Sequence, residues 1–308
     1  MCAMETRTTS TEPRLRCRVG TAVRVKPAAA IFTTLDADGR CEGLPFTAEM
    51  LAFCGGIFTV RTCLNRLYVE GDSVRGIHDV VVLENVRCDG NAHGACGRAC
   101  HLLWKTAWLE PASLGAVAPF DSLSRITGPC QGVAAILREA TTPLPWWQVG
   151  QYWDELRSGS RQIGELLALL GAGIGKLARW YGRKGLALLW RQRHAPSPND
   201  IEPLGLHAGE LVEVRSWPEI AATLDAGGKY RGMAFTQGMR RCCGRRAYVH
   251  TRVGSLIDEA SGKQFRMTDT VLLEDLLCDG FLFRGCARAC HWCWREAWLK
   301  RVPPSPPS

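Results

Sequence analysis

Four cysteines occur twice in this chain, in the same order and at nearly the same spacing. The two sets are Cys54, Cys88, Cys96, Cys100 and Cys243, Cys278, Cys286, Cys290. Four converging thiolates suit tetrahedral Zn²⁺, with Zn–S distances of about 2.3 Å, and such a set can also hold an iron–sulfur cluster. The double occurrence favours metal binding over two alternatives, namely buried core thiols and redox or catalytic thiols.

Other motifs in the chain carry less chemistry. The strings CGRACH and CARACH depart from the C-x-x-C-H pattern of covalent haem, so His101 and His291 are interpreted as helix-face residues or alternative metal ligands. The string GAGIGK at 171–176 does not have the spacing of a phosphate-binding loop. Asp89-Gly90 and Asp279-Gly280 predict turns, in which the aspartate stabilises the local backbone.

An internal repeat explains why the cysteines recur. Residues 20–62 align without a gap with 209–251, and 17 of 43 positions are identical. Residues 79–109 align in the same way with 269–299, and 16 of 31 are identical. The single inserted residue falls between the two blocks, where a hairpin loop tolerates it. The chain therefore contains two copies of one module, at 17–110 and 206–302, which we expect to share a fold.

Each module is predicted to contain short strands and few helices. The predicted strands of the first copy are Thr21–Val25, Ile57–Thr62 and Asp79–Leu83, and those of the second are Leu211–Val214, Ala247–Thr251 and Thr270–Leu273. Helical spacing is present in Pro27–Leu35 and Pro218–Leu224. About 90 residues with this content suggest a small barrel.

The cysteine-rich end of each module is predicted to be helical through HLLWKTAWL and its counterpart. A helix would place Cys96 and Cys100 at i and i+4 on one face. Four tryptophans recur at the same spacing and are interpreted as core residues: Trp104, Trp108, Trp294 and Trp298.

The segments outside the modules differ in composition. Residues 1–16 predict a disordered leader, 196–205 a Pro-rich linker and 303–308 a Pro-rich tail. The middle segment, 111–195, is predicted to be mostly helical and basic, with a break near Ser158-Gly159. Its basic residues are Lys176, Arg179, Arg183, Lys184, Arg191 and Arg193.

Charge and cysteine content limit the partners and the compartment. The net charge of +8 permits an anionic partner, with nucleic acid among the candidates, and the basic middle segment is either a polyanion-binding face or a solvated helix face. The N-terminal residues lack the apolar core of a secretory signal, so the 15 cysteines are expected to be reduced thiols of a cytoplasmic protein. The longest apolar run, 166–175, is shorter than the ~20 residues of a membrane span, so none is predicted.

The strings LPFTAEMLAFCG, RCDG and WKTAWL, together with LPWWQVGQYWDELRSG, resemble a family of uncharacterised bacterial proteins. The resemblance extends from about Gly20 to Val302. It implies paired cysteine-rich, SH3-like modules that flank a helical insert, encoded often near biosynthetic loci, and it carries no activity. The expected fold is α+β: two homologous SH3-like β-barrel modules, each with a C-terminal cysteine-rich helix, joined by a helical middle segment.

The favoured function is a non-enzymatic, metal-binding tandem-module binding or scaffold protein. Its metal would be zinc, or alternatively an iron–sulfur cluster, and its partner a protein or a polyanion. The alternative is a metalloenzyme or redox accessory protein of a bacterial biosynthetic pathway. Closed Cys₄ sites would favour the first function, and an open coordination position would favour the second.

Overall fold

The computed structural model describes residues 15, 17–70, 73–91, 94–112, 137–144, 150–166, 201–280, 283 and 285–303. The fold is α+β, with sheets predominating over a few short helices. Most of the predicted leader, the six basic residues of the middle segment, GAGIGK and the end of the Pro-rich tail lie outside the described residues. Within the described residues, no helix combines the length and hydropathy that crossing a membrane requires.

The first module is built on an antiparallel sheet. Its strands are β1 (Ala22–Val25), β4 (Ile57–Tyr68), β5 (Val74–Arg87), β6 (His101–Lys105), β7 (Leu109–Pro111) and β8 (Thr142–Pro143). The strand order is β6-β5-β4-β1-β7, and β8 pairs with β5 outside this path. A separate small hairpin joins β2 (Arg40–Cys41) to β3 (Leu44–Pro45).

The second module has the same strand order. Its sheet contains β9 (Leu211–Val214), β12 (Arg246–Arg252), β15 (Thr270–Leu277), β16 (His291–Arg295) and β17 (Leu299–Arg301), in the order β16-β15-β12-β9-β17. Small hairpins are formed by β10 (Lys229–Tyr230) with β11 (Met233–Ala234) and by β13 (Ser255–Ile257) with β14 (Gln264–Arg266). Among the described pairings the end strands of each sheet do not pair with each other, so no closed barrel is identified.

The helices are short and follow local capping signals. They are α1 (Ala28–Phe32), α2 (Gly150–Ser158), α3 (Trp217–Ala221) and α4 (Gln237–Arg240), with 3₁₀ turns at Ala48–Phe53, Thr106–Trp108 and Glu296–Trp298. Helix α3 begins at a capping box, because the Glu219 carboxylate accepts from the Ser216 amide at 2.8 Å. Helices α1 and α3 are shorter than the sequence predicted. Helix α2, in the predicted helical insert, packs on β4 through a buried ion pair between Glu155 and Arg66.

The cysteine-rich end of each module is not a helix, and that prediction was wrong. Residues His101–Lys105 form β6, a 3₁₀ turn follows, and the second module repeats this arrangement in β16. Two features explain the difference. Ala95 and Ala99 have φ values of 59° and 46°, in the left-handed region that interrupts a right-handed helix. The Cys88 amide also donates to the Cys100 carbonyl at 2.8 Å, which draws the segment into the sheet. His101 and His291 are therefore strand residues.

The four recurring tryptophans form the centre of the two cores, as predicted. Each has 0% exposure. The Trp108 indole N–H donates to Thr34 Oγ1 at 3.0 Å, and the Trp298 indole makes the matching bond to Thr223 Oγ1 at 3.2 Å. These bonds satisfy the buried donors of Trp108 and Trp298, whereas the indole nitrogens of Trp104 and Trp294 have no hydrogen-bond partner among the described residues. The helical spacing of the tryptophans reflects a strand followed by a 3₁₀ turn.

The two modules contact each other through equivalent elements. The end of β4 reaches the cysteine loop of the second module, where the Tyr68 amide donates to Cys286 Sγ at 3.2 Å. The end of β13 reaches the cysteine loop of the first module, where the Ile257 amide donates to Cys96 Sγ at 3.4 Å. Tyr68 and Cys96 occupy the same repeat positions as Ile257 and Cys286, so the contact is reciprocal.

We expect Gly280→Ala to destabilise the protein far more than Gly228→Ala. Both glycines have positive φ, 69° and 72°. A Cβ at Gly280 would collide with the Cys286 carbonyl oxygen, whereas a Cβ at Gly228 would meet no atom within 4 Å. Gly228→Ala should therefore cost about 1 kcal/mol, the penalty for positive φ alone. Gly280→Ala should cost about 3 kcal/mol, because the backbone must also move. Denaturant unfolding measures both, and equal losses would contradict the proposed collision.

Candidate functional site

Two of the recurring cysteines lie in tight turns at the ends of strands. Cys88 follows β5 in a Cys-Asp-Gly turn, and the Gly90 amide donates to Cys88 Sγ at 3.3 Å. The matching turn follows β15, where the Gly280 amide donates to Cys278 Sγ at 3.4 Å. The chain bends at each Asp-Gly pair, where the glycine has positive φ, and the bend directs a backbone N–H at the preceding sulfur.

The loops after these turns carry the cysteines that face the other module. Cys96 and Cys286 are buried, and each sulfur accepts the inter-module amide bond described above. The Gly97 amide adds a bond to the Ser255 carbonyl at 2.8 Å, and Ser255 Oγ donates to the Ala95 carbonyl at 2.7 Å. The cysteine loop of the first module is therefore held by β13 of the second.

Cys100 and Cys290 lie near each other where the two modules meet. Burial is the main cause of the raised pKa of the Cys100 thiol, Arg288 and Arg98 oppose the shift, and Cys290 adds to it. In the second module, burial raises the pKa of Cys278 to about 12, with smaller contributions from Cys290 and Cys286. Three of the four predicted ligands of that module therefore lie within electrostatic range of one another.

The fourth predicted ligand of each module stands apart. Burial alone raises the pKa of Cys54 to about 11, and its thiol contacts the Met50 carbonyl at 3.8 Å. Burial also raises the pKa of Cys243, and the charge of Arg240 partly offsets this increase. Neither thiol has another recurring cysteine among its described electrostatic neighbours.

A network of ion pairs, buried at Glu259 and Arg288 and half-buried at Arg98 and Glu70, adjoins the junction cysteines. Glu259 accepts two bonds from the Arg288 guanidinium, both at 2.8 Å, and lies 3.6 Å from Arg98. Arg98 in turn donates to Glu70 at 2.6 Å. Burial would raise the pKa of Glu259, but Arg288 and Arg98 together hold it below its ordinary value. The four charges compensate one another beside the thiols.

A cavity of ≈ 150 Å³ opens between the modules at this point. Cys88, Cys96 and Cys100 line it together with Arg98 and Arg288, and most of the remaining wall is apolar. A volume of this size admits a small organic molecule or a few waters. The cavity excludes Cys54 and includes the other three predicted ligands of the first module.

A second polar group adjoins the thiols and consists of arginines and imidazoles. Burial lowers the pKa of His101 to about 3, aided by Arg87, Arg61 and His291. Burial lowers the pKa of His291 to about 4, aided by Arg87, His250 and Arg61. The influence of His291 on the pKa of His101 indicates that the two imidazoles lie within electrostatic range across the junction.

Thiols are suitable metal ligands by donor type, but their arrangement in this structure does not form a metal site. All of the described cysteines are free, and no three described His, Cys, Asp or Glu side chains are placed so that they could hold a metal ion. Metal binding would therefore require the thiol side chains to turn toward a common centre. The zinc and iron–sulfur assignments stay predictions that depend on the donor type.

The charged residues of the junction were not predicted from the sequence. Glu70 and Glu259 share one repeat position, and Arg98 and Arg288 share another, so the repeat itself contained a signal for the ion-pair network. Arg61 and Arg87 had no such signal, since His250 and Leu277 stand at the equivalent positions.

Comparison of the chain with protein-family models, with curated proteins and with solved structures finds no match. The resemblance to paired SH3-like modules stays a prediction, and the functional argument depends on the geometry of the junction.

We expect Glu259→Gln to destabilise the protein by about 3 kcal/mol, because it leaves the buried Arg288 charge without its partner. Glu210→Gln is the matched control, since Glu210 pairs with Arg301 at the surface, and its loss should be smaller. Denaturant unfolding at neutral pH compares the two variants.

The pH dependence of unfolding gives a second measurement on Glu259. The folded-state pKa of this carboxyl is lowered, so its stabilising contribution is present at neutral pH and is lost as the pH falls below about 4. Glu259→Gln should lack this part of the acid-induced loss. Identical acid profiles in the variant and the original protein would contradict the proposed ion pairing.

Proposed function

We propose that the chain is a tandem-module binding protein whose junction cysteines bind a soft metal ion, with zinc as the first candidate and an iron–sulfur cluster as the second. The observation that carries the proposal is the set of backbone amides that donate to the sulfurs of Cys88, Cys96, Cys278 and Cys286. An N–H bond to sulfur favours the thiolate over the thiol. Metal binding requires the thiolate.

The charges of the junction support the same proposal. Arg98 and Arg288 oppose the effect of burial on Cys100, yet burial is the larger effect and keeps the thiol neutral. A bound metal cation would supply the missing positive charge and permit ionisation of the sulfurs. The six junction cysteines are Cys88, Cys96, Cys100, Cys278, Cys286 and Cys290.

A binding function has more support than a catalytic or redox function. A reactive cysteine needs a lowered pKa, because the thiolate is the nucleophile. Burial instead raises the pKa of Cys100, Cys278 and Cys286. Thiols of this kind suit a closed site that stabilises the contact between the modules.

The SH3-like assignment belongs to the same proposal. The strand order β6-β5-β4-β1-β7, with a 3₁₀ turn between β6 and β7, supports it, and the second module repeats the arrangement. The proposed partner is a protein or a polyanion bound by the basic residues of 176–193, which lie outside the described residues. Binding of a polyanion there would weaken steeply with salt.

Elemental analysis of cysteine variants tests the metal proposal. We expect the purified full chain to contain bound metal, and Cys278→Ser to lose it, because a junction thiolate has been removed. Cys242→Ser is the control, since Cys242 is a buried cysteine outside both repeated sets. Cys243→Ser separates two ligand sets: it loses metal if the ligands are the four repeated cysteines of a module, and keeps metal if they are the junction thiols alone.

The stability of the same variants provides the second readout. A chelator should destabilise the metal-containing protein by about 3 kcal/mol, and both modules should unfold together because each cysteine loop contacts the other module. Absence of metal from the unmodified protein, together with equal melting of Cys278→Ser and Cys242→Ser, would show that the cysteines are ordinary core residues.

A further inference from the structure

Three neighbouring strands of the first module bring cationic and imidazole side chains to one side of the junction. Arg61 lies on β4, Arg87 ends β5 and His101 begins β6. Arg87 and His101 are direct cross-strand partners. Arg61 lies opposite the step between Leu83 and Val82 on β5, and its charge lowers the pKa of both Arg87 and His101, so the three side chains lie within electrostatic range of one another.

The second module adds two histidines from the equivalent strands. His250 lies on β12 and His291 begins β16. Their rings stack, with centroids 5.1 Å apart and an angle of 13° between the planes. Arg61 and Arg87 both help to lower the pKa of His291, so the cationic groups of the first module and the histidines of the second lie within electrostatic range of each other. The site between them, called the cleft below, is formed by residues of both modules.

Several nitrogen atoms of this cleft have no hydrogen-bond partner among the described residues. His101 is 8% exposed, and neither of its ring nitrogens has a hydrogen-bond partner among the described residues. His291 Nε2 is likewise buried without a partner. In the part of the chain that the structure describes, neither Arg61 nor Arg87 pairs with a carboxylate, and Arg87 donates only to the Ala99 carbonyl at 2.9 Å. Such groups cost free energy when they stay unpaired.

We propose that the cleft formed by Arg61, Arg87, His101, His250 and His291 binds a doubly charged oxyanion such as a phosphate group. Two guanidinium groups match the charge of a dianion, and their planar forks suit bidentate bonding to its oxygens. Neutral imidazoles supply N–H donors in addition. Arg61 and Arg87 are partly exposed and His250 is exposed, so a small anion can enter from solvent.

The ion-pair network next to the cleft does not neutralise these arginines. Glu70 and Glu259 are engaged by Arg98 and Arg288. Among the described residues, the thiols of Cys290 and Cys100 are the groups whose negative charge would raise the pKa of Arg87. Ionised thiols at those positions would be the competing source of negative charge, and the experiment separates the two sources.

Calorimetric titration of inorganic phosphate into the full chain, at constant ionic strength with chloride, tests the proposal. We expect saturable binding, and a loss of affinity of about tenfold or more in Arg61→Gln and in Arg87→Gln. Arg266→Gln is the matched control, since Arg266 is an exposed arginine on β14, a strand that contributes no residue to the cleft. It removes the same charge and should leave the affinity unchanged. Arg87→Lys keeps the charge without the fork and should have an intermediate effect.

A second arm identifies the source of the phosphate group. Glycerol phosphate that binds more tightly than inorganic phosphate indicates a phosphorylated small molecule as the ligand, and equal or weaker binding indicates the free anion. If Arg87→Gln fails to fold, Arg61→Gln provides the comparison, because Arg61 makes no described ion pair whose loss would destabilise the protein.

Two results would overturn the proposal. The first is an absence of saturable phosphate binding, together with thiolate absorbance at neutral pH that disappears in Arg87→Gln, since the cysteines would then supply the charge. The second is an equal loss of affinity in Arg266→Gln and Arg61→Gln, which would indicate general charge attraction. Metal content is measured on the same samples, and because Arg61 is not a thiol ligand, the phosphate and metal proposals can fail separately.

Discussion

The structure depends on a reciprocal hydrogen bond between the two modules. The last residue of β4 in the first copy and the last residue of β13 in the second each present a backbone N–H to a cysteine sulfur of the other copy. Sulfur is a weak acceptor, so these bonds alone contribute little. Their importance is geometric, because they fix the cysteine loop, and the loop fixes the residues that line the junction.

Burial of the cysteine loops accounts for the charged residues around them. A loop held between two modules removes its polar groups from water, and each must find a partner within the protein. Ser255 pairs with the loop backbone, and Glu259 holds both Arg288 and Arg98. The same burial raises the pKa of Cys100, Cys278 and Cys286 and keeps these thiols neutral in the absence of a cation. The modules therefore behave as one structural unit, although their cysteines form separate sets along the chain.

The two copies differ in their central hairpin, in the contact with helix α2 and in the charged residues at the junction. The β4–β5 hairpin of the first module is long and continuous, whereas its counterpart in the second is divided between β12–β15 and β13–β14. Helix α2 packs on β4 through Glu155 and Arg66. In the repeat, Leu277 stands at the position equivalent to Arg87, and His250 at the position equivalent to Arg61. The two additional arginines of the junction therefore come from the first module. Divergence has thus produced an asymmetric cleft from a symmetric contact.

The sequence by itself determined the local features of each module. Strand β9 has the predicted bounds, since Leu211–Val214 alternates side chains between core and surface. The bends at the Asp-Gly pairs follow from residue type. The core position of the tryptophans follows from the large apolar surface of the indole ring. The duplication was readable because identical residues recur in register.

Only the tertiary structure decided the conformation of the cysteine-rich segment and the grouping of its thiols. An apolar run such as HLLWK is compatible with a helix or a strand. Pairing with β5 and the positive φ of Ala95 and Ala99 make it a strand. The amide that binds Cys96 belongs to Ile257, 161 residues away. Spacing along a chain limits which residues of one element share a face, but it contains no information about which surfaces of two folded modules meet. The junction, its cavity and its cluster of arginines and imidazoles arise from that meeting.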